Sequence, residues 1–250
     1  MKQHKTITIG DIHGKNTWKQ VVEKHPDCHI VFLGDYCDPY DNLLCDTVID
    51  NLKEIIYFKK QNEENVTLLL GNHDTHYFHP YSGRGSRYDF WKANELREIF
   101  THNRQLFVYA HEINNLLFTH AGVVQGWYIE EFSTSIDNIA DRLNNPEKYN
   151  CNSKALFQCG HSRGGMNRYG GIFWADRSEL YEPLTGYTHI VGHNRVSNIT
   201  PLYTNGTEHA PGVIFCDSLF NDNYLIIESD EDGNNIFHAA NINNDRLILL

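Results

Sequence analysis

Apolar runs of four or five residues recur along the chain. Each stops at a glycine or histidine followed closely by residues able to bind a cation. Thr6–Ile9 reads as a short buried strand ending at Gly10, and His29–Leu33 as a second, ending in Gly34-Asp35. Val66–Leu70 is a third, ending in Gly71-Asn72-His73. Between them the period changes. Thr17–Lys24 predicts a helix, and Asp46–Lys60 carries Val48, Ile49, Leu52, Ile55, Ile56 and Tyr57 at helical spacing. Strands alternating with helices predict an α/β fold with parallel crossovers. Ligands of such sheets gather outside the carboxyl ends of the strands, where these polar residues fall.

Further along, Asp89–Phe100 predicts a helix. Gln105–Tyr109 and Asn115–Thr119 predict two antiparallel strands joined around Glu112–Asn114, the second ending in His120. Trp127–Asn144 reads as helix with loops. Tyr149–Gly171, rich in Gly, Asn, Ser and Arg, reads as a surface loop. Ile190–Val191 leads into His193. Val213–Cys216, Tyr224–Glu228 and Ile236–Ala239 read as closing strands, with turns at Asn221–Asn223 and Glu231–Asn235. No repeat or linker interrupts the pattern, so residues 1–250 are expected to form a single domain, long enough for a sizeable core.

Composition narrows the partners. The formal net charge is -11, from 32 acidic and 21 basic residues. Such a surface does not suit nucleic acid, which needs basic residues along the phosphates. A phosphate ester is not excluded, because bound cations invert the local field. The six cysteines, Cys28, Cys37, Cys45, Cys151, Cys159 and Cys216, form no CxxC pair. No signal-peptide pattern opens the chain, and Met1–Lys5 is polar. Reduced thiols and a cytoplasmic location are expected. No stretch approaches the roughly 20 apolar residues of a membrane span.

Five short motifs carry the chemistry: Gly10-Asp11-Ile12-His13-Gly14, Gly34-Asp35-Tyr36-Cys37-Asp38, Gly71-Asn72-His73-Asp74, Thr119-His120-Ala121-Gly122 and Gly192-His193-Asn194. Singly, most are ordinary: a lone Asp-x-His is commonly a polar loop pair, and a lone His a satisfied structural one. Together, in this order and at strand ends, they suit two metal sites. Asp11, His13 and Asp35 would hold one ion, and Asp35, Asn72, His120 and His193 the other, with Asp35 bridging. Mixed oxygen and nitrogen donors suit Mn²⁺, Fe or Zn²⁺ better than Ca²⁺. Two such ions clamp a phosphate and activate a bridging water. His73 is placed to protonate the leaving oxygen as general acid, and Asp38 to hold its imidazole and raise its pKa.

At these motifs the chain resembles the calcineurin-like metallophosphoesterases, within them the phosphoprotein phosphatase group. That group carries GDxHG, GDxxDRG, GNH(D/E), a histidine in HAG or HGG, and a later GH. Phe173-Trp174-Ala175-Asp176-Arg177 and Phe215-Cys216-Asp217-Ser218 resemble its later elements, so that the likeness runs from about Thr6 to Glu228. The resemblance implies a central β-sandwich flanked by helices. It also implies a dinuclear centre hydrolysing phosphomonoesters by direct water attack; the ions expected here are Mn²⁺ first, then Fe or Zn²⁺.

Two departures stand out. Pro39 stands where the group has a phosphate-binding arginine, so Arg163, Arg177, Arg84 and Arg87 become candidates, Arg163 and Arg177 foremost. Arg195 stands where the nuclease branch has a second metal histidine, which points towards the phosphatase or dinucleoside-polyphosphatase branch. The expected function is a Ser/Thr phosphatase-type hydrolase acting on a phosphorylated protein. The alternative is a dinucleoside polyphosphate hydrolase acting on a nucleotide. A third reading, a binding scaffold without catalysis, conflicts with the full set of ligands and His73.

Overall fold

The computed structural model describes residues 4–41, 43–204 and 211–250, the side chains at 45 and 245 excepted. Residues 1–3 and the Cys45 side chain, both used above, therefore lie outside the described residues. The remaining five cysteines are free.

The first half follows the alternating pattern. β1 (His4–Ile9), α1 (Trp18–Lys24), β2 (His29–Phe32), α2 (Cys45–Gln61) and β3 (Val66–Leu69) appear in order. α3 (Asn72–Phe78) then starts directly at the third motif, and α4 (Ala93–His102) follows. α3 was hidden because its seven residues include His, Asp and Thr but almost no aliphatic stripe. α4 begins later than the Asp89 expected, because the Asp89 carboxylate accepts from the backbone of Trp91 and Lys92 and forms a turn of its own.

The next segment corrects the sequence reading. β4 (Phe107–Val108) pairs in parallel with β3, and β5 (Ala110–Ile113) pairs antiparallel with β6 (Leu116–Thr119). The single strand expected over Gln105–Tyr109 thus belongs to one sheet, and the partner of Leu116–Thr119 starts just after it in another. The change of sheet at Tyr109–Ala110 is satisfied by a side chain. Asn144 Oδ1 accepts from both backbone nitrogens at 2.7 and 3.1 Å. No local pattern shows a partner thirty residues away. The turn falls at Asn114, whose φ of +54° suits asparagine.

β7 (Thr188–Val191), β8 (Thr200–Leu202), β9 (Val213–Phe215), β10 (Asn223–Ser229), β11 (Asn235–Asn241) and β12 (Asn244–Leu249) complete the set, β8 and β12 being additions to the expected strands. One sheet has the order β12-β11-β10-β1-β2-β3-β4, the other β5-β6-β7-β9-β8. β1 to β4 are mutually parallel, as are β6, β7 and β9.

The two sheets stack. Val31, Leu33 and Leu69 from the first meet Phe118, Ile190 and Ile214 from the second in one apolar cluster. Alternate residues of the same strands (Ile30, Phe32, Leu68, Leu117, Val191, Phe215) face the other way, into a second cluster. That cluster includes Val21 of α1 and Leu52 and Ile55 of α2. Both faces of these strands are buried, which is why they read as continuous apolar runs. The result is the expected mixed α/β sandwich flanked by helices. Residues 149–171 are not all surface: Ala155, Leu156 and Phe157 sit in a buried 3₁₀ turn, with the His79 ring stacked 3.9 Å from that of Phe157.

Candidate metal centre

The motifs converge because their loops bond to one another. His13 N donates to Asp35 O at 2.7 Å and Gly14 N to Tyr36 O at 3.1 Å, tying the first motif to the second. The Asp74 carboxylate accepts from the backbone of Gly71, Asp35 and Tyr36 at 2.8 Å each, tying the second to the third. Asp74 was part of a quoted motif but had no role in the sequence reading; its three backbone partners supply one. Gly34 allows the approach: its φ is +98° and a Cβ there would lie 2.4 Å from Gly71 N. His13, Asp35, Asp38 and His193 also take positive φ, between +44° and +59°. Strain of this kind collects at functional sites.

The expected ligands fall into two groups that share one residue. Asp11, His13 and Asp35 offer donor atoms within 4.8 Å of one another, and so do Asp35, His120 and His193. Asn72 joins the second group, its Oδ1 lying 2.9 Å from both His120 Nε2 and His193 Nδ1. Asp35 Oδ2 stands 3.7 Å from His13 Nε2 and 3.5 Å from His120 Nε2, between the two groups. Asp11 reaches across to the last motif, accepting from His193 N at 3.0 Å.

The donor set fits a cation. His13 Nδ1 lies 2.8 Å from Cys37 O, and His120 Nδ1 lies 2.8 Å from Leu33 O. A carbonyl only accepts, so each Nδ1 carries the proton and each Nε2 lone pair faces inward. At His120 that lone pair meets Asn72 and Asp35 oxygens, an arrangement of acceptors that a cation reconciles. Electrostatics agree. Burial holds the His13, His120 and His193 imidazoles below their ordinary pKa, in the neutral form that binds metal. Burial, and then Asp217 and Asp35, push Asp11 well up, and burial with Asp35 pushes Asp217 up to about 7. Crowded, buried carboxylates of this kind are relieved by bound positive charge.

His73 and Asp38 also meet as expected, Nδ1 to Oδ2 at 2.8 Å. Burial opposes a charged His73, but Asp35 and Asp38 outweigh it and raise its pKa. Burial likewise opposes the Asp38 carboxylate, and hydrogen bonds from His73, His76 and Tyr77 outweigh it. His76 was missed. Its Nε2 lies 2.8 Å from Asp38 Oδ2, and its side chain is fully buried. Its spacing of three from His73 on one helix was the available signal.

The arginines divide. Arg163 Nε pairs with Asp176 Oδ2 at 2.8 Å, and an Nη donates to Asn194 Oδ1 at 2.5 Å. The Arg177 guanidinium lies over the Phe215 ring. Arg195, read earlier only as a substitution, lines the same cleft as Asp11 and His13.

A two-layer sandwich with paired Asp/His groups at its strand ends defines a metallophosphoesterase-type fold and centre. Residues 4–194 match the calcineurin-like phosphoesterase family, and the chain belongs to it. Its members are dinuclear, metal-dependent phosphoric ester hydrolases. The matched segment stops at Asn194, short of the Glu228 to which the motifs had suggested the likeness runs. A symmetrical bis(5'-nucleosyl)-tetraphosphatase of Marinomonas sp. (strain MWYL1) is 28% identical over 154 residues, 55% of this chain. The chain spans about half, 51%, of that relative's length. Among solved structures, a cold-active protein tyrosine phosphatase is similar with a TM-score of 0.63 at 16% identity, over 100% of this chain and 79% of that one. A protein serine/threonine phosphatase from Saccharomyces cerevisiae gives 0.56 at 14% identity, over 95% and 80%. These structures share the fold. No helix among the described residues is long and apolar enough to cross a membrane.

Proposed function

We propose that this protein is a metal-dependent phosphomonoester hydrolase of the Ser/Thr protein phosphatase type, with Mn²⁺ as the preferred ion and a phosphorylated protein as substrate. One observation carries the reading: two ligand groups share Asp35, and the hydrogen-bonded His73–Asp38 pair stands beside them. Asp11, His13 and Asp35 would hold one divalent ion, and Asp35, Asn72, His120 and His193 the other. Bound there, such ions supply Lewis acidity to the phosphoryl oxygens and lower the pKa of water, so that no side-chain nucleophile is needed. His73, with Nδ1–H held by Asp38, presents Nε2 to protonate the leaving oxygen. Residues 1–250 form one domain in this reading; the pairing of the late strand β10 with β1 supports it. The free cysteines accord with a cytoplasmic location.

A second reading has one specific support. The tetraphosphatase relative favours a dinucleoside polyphosphate as substrate. Turnover of an aryl phosphate, a phosphopeptide and diadenosine tetraphosphate, with metal analysis of the same sample, separates the two. A preparation holding both ions that turns over none of them would end the hydrolase reading.

A further inference from the structure

The second motif ends in Pro39 where an arginine was expected, so a phosphate-binding cation must come from elsewhere in the fold. Arg84 lies over the Tyr88 and Phe90 rings. Besides Arg87, three arginines compete. Arg163 has Nε engaged by Asp176 and an Nη by Asn194. Arg177 lies on Phe215. Arg195 is different. It lines a small cleft together with Asp11, His13, Tyr40, Asp217 and Phe220, so it shares a cavity with the first ligand group. Lys15, the other cation of the cleft, pairs with Asp41 at 3.2 Å.

The Arg195 guanidinium is placed by rings. Its Cζ lies 3.7 Å from the Phe220 ring centroid and 5.0 Å from that of Tyr40. Tyr40 in turn packs edge-on against His13, with centroids 4.7 Å apart. Arg87 lies against the same tyrosine at 4.1 Å and donates to the carbonyl of Pro39 itself. Two guanidiniums thus flank one ring beside a candidate ligand. Neither is within ion-pair distance of a carboxylate among the described residues. Stacking orients a planar fork while leaving its N–H edges free, which suits two-pronged recognition of phosphate. It also removes part of the ordering cost that a flexible side chain meets on binding.

We propose that Arg195, supported by Arg87 across Tyr40, is the phosphate clamp of this protein and takes over the task of the arginine absent at Pro39. The proposal rests on the hydrolase reading for the phosphate it would hold. Losing a charge-assisted, two-pronged contact should weaken phosphate binding about 10–100-fold. Arg195→Gln should therefore raise KM for an aryl phosphate, and the dissociation constant of inorganic phosphate measured by calorimetry, by about that factor. Metal content and melting temperature should stay unchanged. Arg195→Lys should recover only part of the loss, since an ammonium cannot replace the fork. Arg163→Gln should cost less than Arg195→Gln. Unchanged KM and phosphate affinity in Arg195→Gln, or a larger loss in Arg163→Gln, would overturn the assignment. Phosphate binding that weakens in Arg195→Gln while the wild type turns over no ester would leave the clamp standing and remove the hydrolase reading instead.

Discussion

The two ligand groups are built in different ways. Asp11, His13 and Asp35 leave neighbouring parallel strands of one sheet, and their loops are joined backbone to backbone, as by His13 N to Asp35 O at 2.7 Å. His120 and His193 come from the other sheet. They reach the first through their side chains and one backbone N–H: His120 Nδ1 to Leu33 O, His193 N to Asp11, and both rings to Asn72 Oδ1. The first group is therefore fixed by strand pairing, while the second depends on how the two sheets stack. Access does not follow that division: Asp11, His13 and Asp35 are all buried, and of the second group His120 is fully buried while His193 is partly exposed. The second group thus ties the two sheets together, whereas the first lies within one of them.

Asp35 belongs to both groups, so changing it should erase the distinction. Asp35→Asn should reduce bound metal from about two ions per chain to near none. Turnover should fall by more than the about 10²–10⁴-fold that loss of a general acid costs. Metal analysis of purified protein checks this; one retained ion would mean that Asp35 does not bridge. His73 touches neither sheet's ligands through its Nδ1, which is given to Asp38. His73→Asn should lower kcat by about 10²–10⁴-fold at full metal content. Loss of metal in that variant would make His73 a ligand and redraw the first group.

The same contrast governs what could be read from sequence. The first sheet's strands are buried on both faces and end in glycine, so apolar runs and motifs located Asp11, His13, Asp35 and Asn72 together. The second sheet was harder. β5 follows β4 with one residue between them, and the switch of sheet rests on Asn144, far along the chain. His120 and His193 were recognised by their motifs, not by the elements carrying them. His76 and Asp74 sit on a helix too short and polar to show a stripe. Arg195 is placed by Tyr40 and Phe220, contacts that only the folded chain brings together.

Acid offers a gentler way to separate the two regions. His189, on β7 four residues before His193, is fully buried. Its Nε2 lies 2.8 Å from Leu184 O, and its Nδ1 has no partner among the described residues. Nε2–H donates to that carbonyl, so protonation would place a second N–H where nothing accepts it, and burial holds the pKa down to about 4. His111 of β5, stacked on His29 of β2 between the sheets, is also held to about 4, by burial and then by His29 and Lys59. The unfolded chain takes up a proton at His189 near pH 6.5 and the folded chain only near 4. Acid therefore favours the unfolded state. The contribution of His189 is complete above pH 6.5, shrinks as pH falls, and levels off below about 4, a loss of at most about 3 kcal/mol. Urea unfolding at pH 7 and pH 4.5 should show this decline, and His189→Gln should flatten it whatever its stability at pH 7. An equal decline in His189→Gln would move the acid sensitivity away from His189, to groups such as His111 of β5.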